Sequence, residues 1–190
     1  MKNFLIAIVS LIAASAIGWQ LLGFYWKYEY GQKAPKFSLT VSEVSRHYYL
    51  FVPDNLTEPA PLVLAFHGGG GGGWRFPQQF LFEELAAAEG FIMAFPQAEH
   101  FEPNEGGWQL NSRADWMQDI NYVSAVIDDI GSGYSIDKLR VYGIGYSLGS
   151  MFIYELACHM TDRFAALASY AGTMPVNPNY CEQVRPIPLL

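Results

Sequence analysis

The residues best suited to chemistry are a serine between two glycines, in the pattern Gly145-x-Ser147-x-Gly149. Residues 139–144 form a short apolar run typical of a strand, and apolar side chains recur at helical spacing after the serine. A strand, a sharp turn and a helix are the context of a nucleophile elbow, where glycines avoid clashes and the helix N-terminus faces developing negative charge. We therefore predict that Ser147 is a nucleophile at an elbow formed by Gly145 and Gly149. The alternative is an ordinary glycine-containing turn.

A run of glycines is the second feature suited to chemistry. His67 is followed by six glycines, residues 68–73, directly after an apolar stretch typical of a buried strand. In an α/β-hydrolase, the loop after the third strand supplies one N–H of the oxyanion hole, and glycine lets that backbone approach the substrate. We predict that the N–H groups of Gly69 and Leu148 form the oxyanion hole, with Gly70 as the second candidate in the loop.

Other roles for the glycine run fit the sequence less well. A phosphate-binding loop would need Gly-Lys-Ser or Gly-Lys-Thr after the glycines, and neither follows. A flexible linker is not expected between a buried strand and a helix. His67 is expected to orient the loop rather than to act as a base.

Strands and helices alternate along the chain after the first 36 residues. Apolar runs and turn residues predict strands at residues 37–41, 46–52, 62–66, 91–95, 139–144 and 165–171, with a last one beginning at 187–190. Helical periodicity predicts helices at residues 78–89, 117–130 and 151–160. This alternation predicts an α/β fold with a mostly parallel sheet and flanking helices.

In two of the predicted helices, apolar residues fall on one face. In the helix at residues 78–89 this face consists of Phe80, Leu81, Leu85 and Ala88. In the helix at residues 117–130 it consists of Ile120, Val123, Ile127 and Ile130. Three acidic residues of the second helix lie away from the centre of its apolar face: Asp119, Asp128 and Asp129.

The first 26 residues predict either a signal peptide or an uncleaved membrane anchor. Residues 4–26 carry no charge, and Lys2 precedes them. A signal peptide would be cleaved after Ala16, whereas the uncharged stretch is longer than a signal h-region and long enough to span a bilayer. Both alternatives export the rest of the chain to the periplasm or the extracellular space. Residues 27–36 then form a linker and residues 37–190 a domain.

Composition narrows the class of protein. The chain has 190 residues, enough for one domain with a core, and its 15% charged residues argue against disorder. Its net charge of −7 argues against a nucleic-acid partner, because no basic face is available to neutralise phosphates. We expect no metal and no cofactor, since Cys158 and His159 are adjacent and nothing completes a four-ligand set.

In their order and spacing, the motifs resemble those of the polyhydroxybutyrate depolymerase and feruloyl esterase-like family of secreted α/β-hydrolases. The matching segments are Arg46-x-Tyr48-x-Leu50-x-Val52-Pro53 and residues 61–70, 119–129, 134–137, 140–151, 156–158, 162–166 and 171–173. The resemblance covers residues 37–190. It implies a serine esterase that hydrolyses polyhydroxyalkanoate, feruloyl or acetyl esters through an acyl-Ser147 intermediate. Ser150 stands where the family often has glycine, and we expect this change to be tolerated.

The two cysteines fit an exported domain. Cys158 lies on the predicted helix after Ser147, and Cys181 precedes the last predicted strand. Disulfides form in oxidising compartments, so we expect one bridge between these cysteines, with two unpaired buried thiols as the alternative. The bridge would stabilise the domain by roughly 3 kcal/mol in the chain-entropy model.

The acid and the base of a catalytic triad are missing from the expected places. In this fold they follow the nucleophile in the order serine, acid, histidine. After Ser147 the only histidine is His159 and the only aspartate is Asp162, and both lie too far along the elbow helix to reach the serine hydroxyl. Glu155 and Glu182 do not follow strand ends.

A base taken from the histidines before Ser147, which are His47, His67 and His100, would break this order. Of these three, His100 is the only candidate that lies in a loop. In the family that the chain resembles, the acid follows the strand begun by residues 187–190, and the histidine comes later. We therefore expect an incomplete α/β-hydrolase domain whose C-terminal part is absent, with neither acid nor base on this chain.

Two other functions stay open. One is a peptidase with the same fold, which assays on esters and amides would distinguish. The other is a non-catalytic binding module, tethered to a membrane through residues 4–26, that stacks tryptophans on sugar rings or aromatic acyl groups. Its candidates are Trp74, Trp108 and Trp116, whose alternative role is packing beneath long loops.

Overall fold

The computed structural model describes residues 2–74, 76, 80–99, 107–174, 177–181 and 185–190. In chain order the elements are α1 (Lys2–Lys33), β1 (Lys36–Val41), β2 (Val44–Phe51), β3 (Ala60–Phe66), α2 (Phe82–Glu89), β4 (Ile92–Pro96), α3 (Gln118–Gly133), β5 (Ile136–Tyr146), α4 (Leu148–His159), β6 (Ala166–Tyr170) and a 3₁₀ turn (Pro178–Tyr180). Each strand and helix predicted between residues 37 and 171 has a counterpart among these elements, whereas the strand predicted to begin at 187–190 is represented only by an isolated bridge at Leu189. The beginning of the helix predicted at 78–89 falls partly outside the described residues.

The six strands form one sheet in the order β1-β2-β4-β3-β5-β6. Strands β4, β3, β5 and β6 are parallel, whereas β1 and β2 are antiparallel to their neighbours. The central strands β3 and β5 are paired up to the end of β3, where Phe66 lies opposite Gly145. The loop that begins at His67 and the turn at Ser147 therefore leave the sheet side by side. The predicted α/β fold is confirmed.

Helices cover both faces of the sheet. Helices α3 and α4 pack on one face, where Leu64 and Phe66 of β3 contribute to the larger buried cluster. On the other face, Ala65 of β3 packs in a smaller cluster with Ala86 of α2 and Phe76. Alternate residues of β3 thus serve the two layers, as a strand buried on both faces requires.

The apolar face predicted for the helix at residues 78–89 is not formed as one face, because α2 begins at Phe82 and carries only Leu85 and Ala88 of its four members. All four of its members are exposed, with exposed fractions of 36% for Phe80, 56% for Leu81 and 51% for Leu85. Helix α2 buries Glu83 and Ala86 instead. Leu81 has a left-handed backbone with φ of 50°, which interrupts the helical repeat and changes the face that α2 turns to the sheet.

The apolar face predicted for α3 is confirmed, because its four isoleucine and valine side chains are all buried. Asp128 and Asp129 are exposed, as their position away from that face predicts. Asp119 is different: it is buried at the start of α3, where Oδ1 lies 2.7 Å from Nη2 of Arg46 on β2. The sequence did not predict this ion pair, since its partners are 73 residues apart.

The segment at residues 187–190 lies beside β6, as predicted for the start of a strand. Leu167 and Leu189 form a parallel bridge, and the Ser169 N–H donates to the Leu190 carbonyl oxygen at 2.8 Å. The disulfide expected between Cys158 and Cys181 is present. It joins α4 to the chain that leads into this edge of the sheet.

Helix α1 is continuous to Lys33, so residues 27–33 of the predicted linker are helical. The stretch Phe4–Trp26 has a mean hydropathy of 2.1, and none of it is buried against the protein. It is long and apolar enough to cross a membrane, and an N-terminal signal sequence shares these properties. The chain enters the domain at Ala34, which is buried with Phe76 and Ala86.

Candidate active site

Ser147 occupies the turn between β5 and α4. Its backbone angles, φ 52° and ψ −115°, are rare for a residue with a side chain and cost on the order of 1–3 kcal/mol. Hydrogen bonds hold both sides of this residue. Its N–H donates to the Tyr170 carbonyl oxygen at 3.0 Å, and its carbonyl oxygen accepts from the Met151 N–H at 3.1 Å. A strained serine at a strand-to-helix turn is the geometry of a nucleophile elbow.

Close backbone contacts require glycine on both sides of Ser147. A Cβ atom on Gly145 would overlap the carbonyl group of Gly149. A Cβ atom on Gly149 would overlap the Phe66 carbonyl oxygen and lie 2.6 Å from the His67 carbonyl oxygen. The first turn of α4 therefore lies directly against the end of β3, where the glycine loop begins.

Ser150, which departs from the family pattern, is accommodated by a hydrogen bond. It is buried, and its Oγ lies 2.6 Å from the Oγ of Ser169 on β6. A Cβ atom on Gly172 would lie 2.5 Å from the same Ser150 oxygen, so a glycine at 172 leaves room for the serine hydroxyl.

The first glycines of the loop lie next to the elbow. A Cβ atom on Gly68 would lie 3.2 Å from Ser147 Cβ, and one on Gly69 would lie 3.6 Å from Leu148 Cδ2. Gly70 faces open space and has a left-handed backbone with φ of 66°, which favours glycine. The structure thus brings Ser147, Leu148 and Gly69 together, and Gly70 lies farther from the elbow.

Two hydrogen bonds fix the direction of the Gly69 N–H. The Gly68 carbonyl oxygen accepts from the Gly71 N–H at 3.1 Å and lies 2.9 Å from Nδ1 of His67. Because a trans peptide is planar, its N–H points opposite to its carbonyl. The Gly69 N–H therefore points away from the His67 ring, and within the described residues it donates no hydrogen bond.

His67 orients the loop, as the sequence predicted. The Ala98 N–H donates to its Nε2 at 3.1 Å, so Nδ1 carries the ring hydrogen and donates to the Gly68 carbonyl oxygen. With both ring nitrogens engaged and the ring buried, His67 is not placed to take a proton from a serine.

Trp108 lies beneath the loop rather than on a binding surface. Its Nε1–H donates to the His67 carbonyl oxygen at 2.8 Å, and its ring stacks on Phe152 of α4 at a centroid distance of 4.8 Å. The packing role is therefore the correct one for Trp108. Trp74 is half-buried. Of the three candidate tryptophans only Trp116 is exposed, with an exposed fraction of 54%.

No histidine in the described part of the chain is placed to act as the base. His159 lies 12 residues after Ser147, about 18 Å along α4, and its Nε2 lies 3.7 Å from Oε2 of Glu155. His47 lies on β2, three strand spacings or about 14 Å from β5. His100 falls outside the described residues.

The described acidic residues near α4 serve other purposes. Glu155 is buried, and its carboxylate accepts hydrogen bonds from the Asn111 and Ser112 N–H groups at 2.5 and 3.2 Å. Burial raises the pKa of Glu155, and the two N–H donors oppose that rise. Asp162 lies past the end of α4, and Glu182 falls outside the described residues. Among the described residues, no three His, Cys, Asp or Glu side chains are grouped so that they could hold a metal ion.

A cavity of about 160 Å³ opens beside the elbow. It is lined by the glycine loop from His67 to Gly72, by Phe76 and by Tyr146, the residue before Ser147. Tyr146 places the turn at Ser147 beside this cavity, and the loop that carries the Gly69 N–H forms its wall. Acyl transfer needs this combination of a nucleophile and N–H donors.

Several known proteins with similar sequences are named as esterases. No protein-family model matches the chain. NocK of Nocardia uniformis subsp. tsuyamanensis, which is named as an esterase, is 32% identical over 140 residues, covering 71% of this chain and 39% of NocK. Feruloyl esterase B of Thermothelomyces thermophilus is 29% identical over 129 residues, covering 65% of this chain and 43% of that protein.

The acetyl xylan esterase from Aspergillus awamori has a similar structure, with a TM-score of 0.62 and 24% identity, over 73% of this chain and 52% of that one. The chain thus spans about two fifths of these relatives and half of the solved structure. The polyhydroxybutyrate depolymerase part of the predicted resemblance stays a prediction. The chain has the α/β-hydrolase fold and is related in sequence to esterases of the acetylxylan and feruloyl type.

Proposed function

We propose that this chain carries the nucleophile and the oxyanion hole of an exported serine esterase that hydrolyses carboxylic esters. The observation that carries the proposal is the positive φ of Ser147 between two glycines that cannot hold a Cβ atom, next to the Gly69 N–H, which donates to no other residue that the structure describes. The names of the related proteins favour acetylated or feruloylated polysaccharides as substrates.

In the proposed reaction, Ser147 Oγ attacks the ester carbonyl carbon, and the carbonyl oxygen becomes an oxyanion bound by the N–H groups of Gly69 and Leu148. The tetrahedral intermediate collapses, the bond to the alcohol oxygen breaks, and the acyl group stays on Ser147. Water then attacks the acyl carbon and releases the carboxylic acid. A base takes the serine proton and returns it to the leaving alcohol, as a triad histidine does.

The acid and the base come, in this proposal, from residues outside the described part of the chain. Each N–H donor of the oxyanion hole contributes on the order of 3 kcal/mol to transition-state stabilisation. Enzymes of this type that lack a triad member keep about 10³–10⁴-fold acceleration over water from the oxyanion hole and substrate binding. Some reaction with an activated ester is therefore expected even without the base.

Covalent acylation tests the nucleophile directly. The chain is incubated with p-nitrophenyl acetate and imidazole, which acts as an external base, and the acetylated residue is identified by peptide mass spectrometry. We expect one acetyl group on Ser147, none on a Ser147→Ala variant, and unchanged acetylation in a control Ser132→Ala variant, whose serine is exposed at the end of α3. Acetylation of Ser147 no faster than that of other serines would refute the assignment.

We also propose that α1 stays attached and anchors the domain outside the cytoplasm. The uncharged 23-residue stretch supports an anchor over the shorter apolar core of a signal peptide, and the disulfide supports an oxidising compartment. In a bacterial host, the chain should stay in the membrane fraction after an alkaline carbonate wash and keep Met1 or Lys2 as its N-terminus. A soluble exported protein that begins at Ile17 would show that residues 1–16 are a signal peptide.

A further inference from the structure

The segment at residues 107–112 has no regular secondary structure, yet buried carboxylates hold its backbone directly after Trp108. The Gln109 N–H donates to Asp119 Oδ2 at 2.6 Å. The Asn111 and Ser112 N–H groups donate to the two oxygens of Glu155. Both carboxylates are fully buried. The backbone of the segment is therefore bonded to the start of α3, through Asp119, and to the middle of α4, through Glu155, rather than hydrated.

Each carboxylate is itself held in place. Asp119 is paired with Arg46, whose guanidinium lies over the Tyr122 ring at 3.9 Å. Glu155 projects from α4, two turns after Ser147. A buried ion pair is a weak source of stability because removing charges from water is costly. Its effect here is to fix where the Trp108 segment lies.

Trp108 connects this segment to both halves of the candidate active site. Its ring contacts Phe152 on the elbow helix and Phe66 at the end of β3, with centroid distances of 4.8 and 5.2 Å. Its Nε1–H donates to the carbonyl oxygen of His67, the same oxygen against which Gly149 packs. The His67–Gly68 peptide is therefore held between the first turn of α4 and the indole.

The direction of that peptide sets the course of the glycine loop. His67 and Gly68 are consecutive, so a rotation of the peptide between them would displace the Gly68 carbonyl from the His67 ring. The Gly69 N–H belongs to the same planar peptide as the Gly68 carbonyl, so a displacement of that carbonyl would also turn the N–H. An apolar ring in place of the indole would fill the space but would remove the indole N–H that donates to the His67 carbonyl oxygen.

We propose that Trp108 is a positioning residue for the oxyanion hole, and that Asp119 and Glu155 hold it in place through the backbone of residues 109–112. This inference rests on the proposed esterase function. It assigns a role to a residue that touches neither the ester nor Ser147, and it explains why two buried carboxylates accept hydrogen bonds from the backbone of a loop segment.

The test compares Trp108→Phe with Tyr48→Phe. Each variant loses one hydrogen bond of a buried aromatic side chain, but the Tyr48 hydroxyl donates to the exposed Asp129 at 2.6 Å, away from the glycine loop. Acetylation of Ser147 by p-nitrophenyl acetate with imidazole is followed as a function of ester concentration, and thermal unfolding is measured on the same samples. We expect Trp108→Phe to lower the maximal acetylation rate about 10- to 100-fold without changing the half-saturating ester concentration. Tyr48→Phe should be destabilised and keep the wild-type rate.

The outcomes are distinguishable. Acetylation in Trp108→Phe at the wild-type rate, with Ser147 still required, would overturn the positioning role alone. No Ser147-dependent acetylation in the wild-type chain would overturn the proposed function itself. Should Trp108→Phe fail to fold, Glu155→Gln, which keeps one acceptor oxygen and replaces the other by a donor, is expected to lower the maximal rate about 3- to 10-fold. A wild-type rate in a folded Glu155→Gln variant would also contradict the proposal.

Discussion

Replacing Gly149 by alanine should damage this protein far more than an ordinary glycine substitution. The new Cβ atom would overlap the Phe66 carbonyl oxygen and lie 2.6 Å from the His67 carbonyl oxygen. Carbon and oxygen atoms in proteins rarely approach closer than about 3.3 Å, so the elbow must move by roughly 0.7 Å or more to relieve the second contact alone. Both oxygens belong to the backbone at the end of β3, which the ladder to β5 holds in place.

A backbone that cannot relax makes this a severe case of overpacking. Ordinary overpacking costs about 1–3 kcal/mol, and we expect Gly149→Ala to cost about 4 kcal/mol or more in the free energy of unfolding. For a chain of this length that corresponds to a decrease in Tm of roughly 8–16 °C. The matched control is Gly133→Ala at the end of α3, where no atom lies within 4 Å of the new Cβ. It should be neutral or slightly stabilising.

Thermal unfolding followed by circular dichroism measures both variants, and Ser147 acetylation measures the site. A displaced elbow should also lose acetylation, because the first turn of α4 supplies the Leu148 N–H. A Gly149→Ala variant with a Tm within 2 °C of wild type would refute the reasoning, since it would mean that β3 and α4 separate at little cost.

Three further predictions concern stability. Arg46→Met should lower the free energy of unfolding, measured in urea, by about 3–5 kcal/mol, because it leaves the buried Asp119 without its ion-pair partner. The control Arg140→Met, whose ion pair is exposed, should change it by no more than about 1 kcal/mol. Equal effects of the two substitutions would contradict this prediction. Burial raises the pKa of Glu83, so its folded form holds a proton at pH values where the unfolded chain has lost it. The protein therefore gains stability from this group as the pH falls through the folded pKa. Glu83→Gln should be more stable than wild type at pH 8 but not at pH 4. A difference in stability between the two proteins that stays constant with pH would be inconsistent with the raised pKa. Reduction of the Cys158–Cys181 disulfide, which closes a loop of sequence separation 23, should cost about 3 kcal/mol, and an unchanged Tm with and without reductant would count against it.

The elbow and the glycine loop were predictable because their requirements are local. Gly145, Gly149 and the glycines after His67 allow backbone angles and approaches that other residues forbid, and such constraints are visible as residue types at fixed spacing. The strands were predictable for a similar reason, since buried parallel strands read as short apolar runs.

The parts that were missed depend on contacts between distant residues. The spacing of Asp119 on α3 indicates a position off the apolar face, and only the arrival of Arg46 from β2 makes its burial favourable. The hydrogen bond from Trp108 to His67 spans 41 residues and leaves no periodic signal. On α2, a single left-handed residue, Leu81, was enough to change which side chains face the sheet. Apolar periodicity shows that a face exists but not that the helix is continuous.

The continuity of α1 has a consequence for what the domain can reach. With residues 4–26 in a bilayer, residues 27–33 form a helical stalk of about 10 Å, whereas a flexible ten-residue linker would have a root-mean-square span of roughly 17–19 Å. Under the proposed anchoring, a stiff, short stalk would keep the domain within a thin layer above the membrane. Under the proposed esterase function, ester-bearing polymers lying along that surface would then be met at a high effective concentration, and those farther out would be beyond reach.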